Sequence, residues 1–528
     1  METWNYKPGS HFKERFIAQP AFIVWHGLRC IVDHTRHLSW VVLAPMSRFT
    51  LLPFLLISFS CFSQKTLSLH EAISLAQSQS PFYHRAKNTY ERSYWQFSNF
   101  KAGFKPQIRL NATVPTFYRA INPITQPDGS IQFVRVSQAN NSLGLSVLQN
   151  IGFTGGTLQA GTSLQRTDNF SGNQSSYFLS TPIQLSYTQN SLLYNDFYWK
   201  RKLEPVLFET AGRGYAEDME LTSLEAVKLF LEGLEAQVAI DITEANQAQA
   251  DTLYNLSQER FAIGTVPRTD LLQLELNMLK AKSELNDNRI AREEAIRSLK
   301  RVLGLGDEDR LHLLVPSIPE EISISYEKAL EQAQFNRPAI LKFRSERLQA
   351  DQEVARAKGQ NSLELSLIAN LGTQQTAARL GDSYRGLQNQ QYIGVTLDVP
   401  IQDWGYRKSQ IRLAQANREL VEVNMQQEEL IFEQEIYMQV LRFNQKYSQL
   451  QIAGKADTVA QQRLAITKER YLLGKLTIPD LNLALQESVT AKRGFIQALS
   501  DYWLLFYTLR RLTLYDFLKN EPLKYKKE

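Results

Sequence analysis

The same series of landmarks occurs twice along this chain. Ala72, Ala76, Gln77 and Pro81 recur as Ala329, Ala333, Gln334 and Pro338, each displaced by 257 residues. That displacement also carries Ile108, Leu110, Ala112 and Val114 onto Leu365, Leu367, Ala369 and Leu371. Further on, Glu259-Arg260-Phe261, Gly264, Val266, Asp270 and Leu271 recur as Glu469-Arg470-Tyr471, Gly474, Leu476, Asp480 and Leu481, displaced by 210. A match that long marks a duplicated unit rather than chance similarity. The two displacements differ by 47, so the first copy carries about that many extra residues. They fall within 115–187, a region rich in Gly, Ser, Asn and aromatic residues, where the turn-like run 122–129 fits an exposed loop.

Each unit reads as helix, strands, very long helix, turn, helix. In the first, at 65–315, the pattern predicts a helix over 68–103 and strands near 107–116, 142–149 and 177–188. An additional hairpin from 130–136 and 157–165 is expected, then a long helix to about 263 with its partner over 267–303. In the second, at 316–515, it predicts a helix over 325–359, strands near 363–371 and 391–399, a long helix over 406–473 and its partner over 477–512. A polar tail, 516–528, follows.

The long helices are exceptional. Residues 406–473 contain no Pro and one Gly, Gly454. Some 60 helical residues would reach roughly 90–100 Å, and a helix of that length needs partners along its course, as in a coiled coil. Leu420, Val423, Leu430, Ile431, Ile436, Val440 and Leu441 recur at spacings of that kind. These helices alone fit a plain structural coiled coil. The strands point elsewhere. Leu363, Leu365, Leu367, Ala369 and Leu371 alternate with mostly polar residues, as do Ile393, Val395, Leu397 and Val399, and Leu143, Leu145 and Val147. This is the apolar-out, polar-in pattern of a membrane barrel wall. About four core strands per chain cannot close a barrel, which needs roughly eight or more. Three copies would supply twelve.

The N-terminal region reads as an export leader. Arg48 precedes the apolar run Phe49 to Phe62, and small residues follow, so 46–64 is read as a signal peptide. Residues 1–45 are read as a misassigned upstream start or an extended leader. Cys61 is a candidate lipidated first residue. Both cysteines, Cys30 and Cys61, lie within this region, so no disulfide or thiolate metal site is expected downstream. Of the net charge of +5, +3 falls in residues 1–64, which leaves nothing that calls for nucleic acid. No later run of 18 apolar residues occurs, so a membrane helix is not expected.

These residues resemble the TolC-like outer-membrane efflux proteins over about 66–515. The carriers are the duplicated A-x3-A-x4-P helix start, the Pro106-Gln107 entry to the first strand, and the twice-occurring tip motif [FY]-x2-G-x5-D-[LV]. The resemblance implies a mixed α and β fold. Long antiparallel coiled-coil helices form a trimeric periplasmic tunnel beneath a 12-stranded transmembrane β-barrel. It implies a homotrimer in the outer membrane of a Gram-negative bacterium, in contact with outer-membrane lipid. Its implied role is passive export of small molecules or proteins, in an efflux or type I secretion system. A periplasmic adaptor (membrane fusion) protein and an inner-membrane transporter are the implied partners.

The tip residues carry the site expectations. Gly264 and Gly474 sit where a long helix turns into its partner, where glycine relieves the cost of positive φ. Asp270 and Asp480 open the following helices, where a carboxylate offsets the helix dipole. From the resemblance, Asp480 rings the periplasmic aperture, favouring cations, and Asp270, beside Thr269, bonds Tyr471 to hold the tunnel shut. Two departures stand out. A second ring aspartate falls on Leu483, and the arginine of the closing lock falls on Leu476, next to Lys475. His70-Glu71 and the run 304–309 lack the partners of a zinc or phosphate motif. No catalytic site, cofactor or metal is expected. Two rivals remain, a periplasmic coiled-coil adaptor and a structural scaffold. An adaptor would carry one hairpin between β domains, not two duplicated halves. A scaffold would lack the alternating strands.

Overall fold

The computed structural model describes residues 65–171, 175–361, 363–399, 401–473 and 475–525. The expected signal peptide, the stretch before it, Cys61 and Gly474 lie outside the described residues.

The first unit runs β1 (Lys65–Leu67), α1 (Leu69–Gln79), α2 (Pro81–Ala102), β2 (Gln107–Thr125), β3 (Ile131–Asn150), β4 (Thr157–Asn169), β5 (Ser175–Gln189), α3 (Asp196–Ala262) and α4 (Arg268–Leu303). The second runs β6 (Leu311–Leu313), α5 (Tyr326–Asn336), α6 (Pro338–Asn361), β7 (Glu364–Ala377), β8 (Gln388–Asp398), α7 (Tyr406–Leu472) and α8 (Ile478–Thr513). Two short strands close the chain, β9 (Tyr515–Asp516) and β10 (Glu521–Pro522). α3 and α7 are each 67 residues long, or about 100 Å at 1.5 Å per residue.

The single first helix expected in each unit is broken in two, and the duplicated motif explains the break. Ser80 ends α1, with its N–H bonded to Ala76 O, and its hydroxyl caps α2 by accepting from the Tyr83 N–H at 3.0 Å. Pro81 follows at the first helical position, where the missing N–H costs nothing. Pro338 repeats this after Arg337, whose N–H bonds to Ala333 O. The alanines face inward: Ala72, Ala76, Ala329 and Ala333 are all at 0% exposure. They let α1 and α5 approach a core that joins both units, built on Phe230, Leu234, Leu299, Leu303, Phe443, Tyr502 and Phe506. β1 and β6 pair in parallel in this core, and the Gln237 amide bonds both the N–H and the carbonyl of Leu313, at 2.9 and 3.0 Å.

The segment read as a polar tail folds back instead. Asp516 is buried, and the Tyr525 hydroxyl donates to Glu220 of α3. Glu220 is fully buried and accepts from Arg510 Nε at 3.0 and 3.1 Å, while Arg510 Nη1 reaches Asp516 Oδ2 at 2.7 Å.

The large sheet has six strands in the order β2-β3-β4-β5-β7-β8, antiparallel throughout. Four core strands were expected. The surplus comes from the extra residues of the first unit, but not as the expected hairpin: 131–136 is the far end of β3 and pairs with β2, while 157–165 lies in β4 and pairs with 142–150 of β3. Among the described residues, no helix is long and apolar enough to cross a membrane.

Candidate functional site

The sheet is amphipathic across its full width. One row runs Ile108, Val147, Ala160, Leu185, Leu371 and Gln391, one residue from each strand in direct register. The next row on that face runs Gln149, Leu158, Tyr187, Ala369 and Ile393. The opposite face reads Arg109, Ser146, Gly161, Gln184, Gly372 and Gln390. The apolar face is bare: Ile108 is 73% exposed and Val395 61%. Water would not tolerate so large an apolar sheet face, whereas a bilayer would.

The ends of the strands that meet the helices are fastened by side-chain amides. Asn195 caps α3 by accepting from the Tyr198 N–H at 3.0 Å. Its Nδ2 also donates to the carbonyls of Gly152 and Phe153, each at 3.1 Å. Gln149 and Asn150 donate to the carbonyls of Phe104 and Gly103 at 2.8 Å, and Gln189 donates to Thr154 O at 2.7 Å. Around this level the exposed aromatics gather: Phe153 is 84% exposed and Trp404 91%, and Tyr198 lies under the Lys202 ammonium at 4.2 Å. Aromatic rings of this kind favour the headgroup boundary of a bilayer. Asp403 turns the chain there, accepting from the N–H groups of Gly405 and Arg407 at 3.0 and 3.1 Å at the start of α7. Neither the fastening nor the ring level was read from the sequence. Asn195 ahead of an aromatic helix start is the signal that offered it.

The helical hairpins turn in the same way at both tips. Gly264 has φ of 78°, which an L side chain rarely adopts. The Thr265 N–H bonds to Arg260 O at 2.9 Å and the Gly264 N–H to Phe261 O at 2.9 Å, the two bonds of a Schellman cap. At the second tip Lys475 N–H bonds to Arg470 O at 3.0 Å, the matching closure.

The two aspartates differ. Asp480 completes a capping box: its Oδ2 accepts from the Thr477 hydroxyl at 2.6 Å and the Thr477 N–H at 3.1 Å. The Thr477 hydroxyl first, and the Thr477 N–H second, hold the Asp480 carboxyl below its ordinary range. Asp270 occupies the same helical position behind Pro267, which offers neither an N–H nor a hydroxyl. Its carboxylate accepts from the Thr269 hydroxyl at 3.4 Å.

Tyr471 is buried in an apolar cluster with Leu253, Leu274, Ile478 and Leu481, which joins the two tips. Among the described residues of one chain no hydrogen bond links Asp270 to Tyr471. The ring of Tyr471 serves the packing of the tips, and Asn277 Nδ2 to Asn482 Oδ1 at 3.4 Å bridges them. Leu483 is exposed, and Leu476 is partly buried.

Residues 329–513 match the family model described as outer membrane efflux protein. Within that stretch the chain is similar to outer membrane efflux proteins. The match covers most of the second unit, and the likeness in fold extends over both. The CmeC outer membrane channel of Campylobacter jejuni aligns with 87% of this chain and 87% of its own length, at a TM-score of 0.63 and 17% identity. VceC of Vibrio cholerae covers 86% of this chain and 97% of its own, at 0.56 and 16%. The MtrE channel of Neisseria gonorrhoeae, in an open state, covers 84% and 88%, at 0.56 and 15%. At these identities the likeness speaks for the fold. A sequence search among curated proteins finds no match. In a fold of this kind the amphipathic sheet is the part suited to a membrane wall, and the paired hairpins form a helical body.

Proposed function

We propose that three copies of this chain assemble into an outer-membrane exit duct. Molecules handed over by an inner-membrane transporter, through a periplasmic adaptor, leave through it passively. The observation that carries the reading is the union, in one chain, of an amphipathic sheet with two duplicated helical hairpins whose longer arms reach about 100 Å. Each hairpin still shows an apolar seam. Ile452, Val459 and Ile466 recur every seven residues on α7 and are all exposed, as are Leu272 and Leu279 on α4. A heptad seam of this kind is completed by another helix, which a neighbouring copy would supply.

The tip is the proposed gate. Three Asp480 carboxylates, ionised because Thr477 stabilises the charged form, would ring the periplasmic opening and favour cations. Asp270, free of a comparable cap, is the better candidate for contact across copies. Leu483 in place of a second acidic ring leaves the charge of the aperture resting on one layer.

Planar-bilayer recording of the purified complex tests this. Conductance with cation preference, weakened by Asp480→Asn, is the expected result. A complex that never conducts, under any salt or pH, would overturn the duct.

A further inference from the structure

We propose that all six strands of each copy stand in the membrane wall, so that the duct closes with eighteen strands and a correspondingly wide lumen. The inference rests on the three-copy reading above.

β4 is the decisive strand, because it belongs to the residues that the second unit lacks. It has 13 residues and β5 has 15, against the 9–11 that a tilted strand needs to cross a bilayer. β4 stays paired to β3 from Gln138↔Asn169 to Asn150↔Thr157, so it is not a loop folded beyond the wall. Up to a bulge against β5 its faces alternate with the rest, Leu158 and Ala160 continuing the apolar rows and Gln159 and Gly161 the polar ones; beyond it Leu164 and Gln165 still match Leu143 and Ser142 of β3 but lie opposite Ser180 and Leu179 of β5. Gly161 sits where a Cβ would come within 2.9 Å of Leu145 O, so the strand lies tight against β3. The added turn at 151–156 is held down by Asn195 and Gln189, level with the other strand ends.

The sheet edges fit closure by further copies. With six antiparallel strands, β2 and β8 run in opposite senses. The β8 of one copy can therefore extend an antiparallel ladder onto the β2 of the next, and an odd number could not. Arg109 lies on the polar face near the helix end of β2, and Asp398 and Glu364 pair on the polar face at the helix end of β8 and β7. Closure brings these opposite charges to the same seam, at the same end.

Strands about 4.8 Å apart and tilted about 40° give a backbone diameter near 36 Å for eighteen, against about 24 Å for twelve. The polar face carries mainly amides, hydroxyls and glycines, so the lumen suits bulky hydrated cargo rather than apolar molecules in single file.

The chain has no cysteine after Cys61, so added cysteines report cleanly. Ala160→Cys, Thr162→Cys, Ser163→Cys and Gln165→Cys would be labelled in intact cells with a membrane-impermeant maleimide, and the native mass of the detergent-extracted complex measured. The expected result is three copies, with labelling at 163 and 165 and protection at 160 and 162 until detergent is added. Equal labelling at all four positions would overturn the proposal by making β4 a surface loop, and so would a complex of two copies, which closes with twelve strands. Failure to find any outer-membrane complex would instead sink the duct reading on which it rests.

Discussion

An arginine placed on each face of one strand measures which face meets lipid. Leu145 lies on the apolar face of β3 and the partly exposed Ser142 on the polar face, three residues apart. Leu145 is five residues from Asn150, the helix-side end of the strand. A rise of about 3.3 Å per residue at a tilt near 45° puts it about 12 Å into the wall, close to the middle of an apolar band about 25 Å tall. Arginine at that depth costs about 2–4 kcal/mol, while an arginine facing water in the lumen costs close to nothing. Leu145→Arg and Ser142→Arg would each be refolded into lipid vesicles and titrated with urea. A clear loss is expected for Leu145→Arg and near-native behaviour for Ser142→Arg. Equal losses, or the reverse order, would refute the assignment of faces and with it the membrane wall.

Three further outcomes follow from the helical body. Burial pushes the Glu220 carboxyl up, against the opposing pull of Arg510. Arg510→Met removes that cation from a fully buried carboxylate, at about 3–5 kcal/mol. A raised carboxyl pKa means that stability falls as pH rises from the ordinary value of 4.5 through the folded one. The deficit of Arg510→Met, read by denaturant midpoint in detergent, should therefore be smallest near pH 4.5 and open at neutral pH, and Glu220→Gln in the same chain should restore much of it. Ala333→Leu forces extra volume into a site at 0% exposure and should cost about 1–3 kcal/mol or more by the same assay. At the tip the Asp480 pKa is lowered, so its cap is complete above the ordinary value of 3.8 and is lost as pH falls through the folded pKa. Hydrogen exchange in the first turn of α8 should quicken in Asp480→Ala at neutral pH, and an unchanged rate would refute the cap.

Much of the architecture is legible in the residues, because its period is long and its punctuation strong. Both long helices end within about one residue of the expected positions, and at the first tip Gly264 meets a backbone requirement that few residues can. The break at Ser80-Pro81 was missed because proline is as welcome in a first helical turn as it is disruptive later. β4 was the weakest strand to read. Ala160 and Thr162 soften its apolar face, and the full extent of the wall emerges only when β3 and β5 flank it in register. The Glu220–Arg510 pair joins residues 290 apart, and local periodicity carries no trace of such a contact. At the tips the motif located Asp270 and Asp480, but their difference lies in the cap residue before them, proline in one unit and threonine in the other.

The most direct test of the whole account is to fractionate expressing cells, extract the membranes in mild detergent and measure the mass of the native complex. The account predicts an outer-membrane complex of three chains. A soluble monomer or dimer, released without detergent, would contradict it and favour a coiled-coil scaffold.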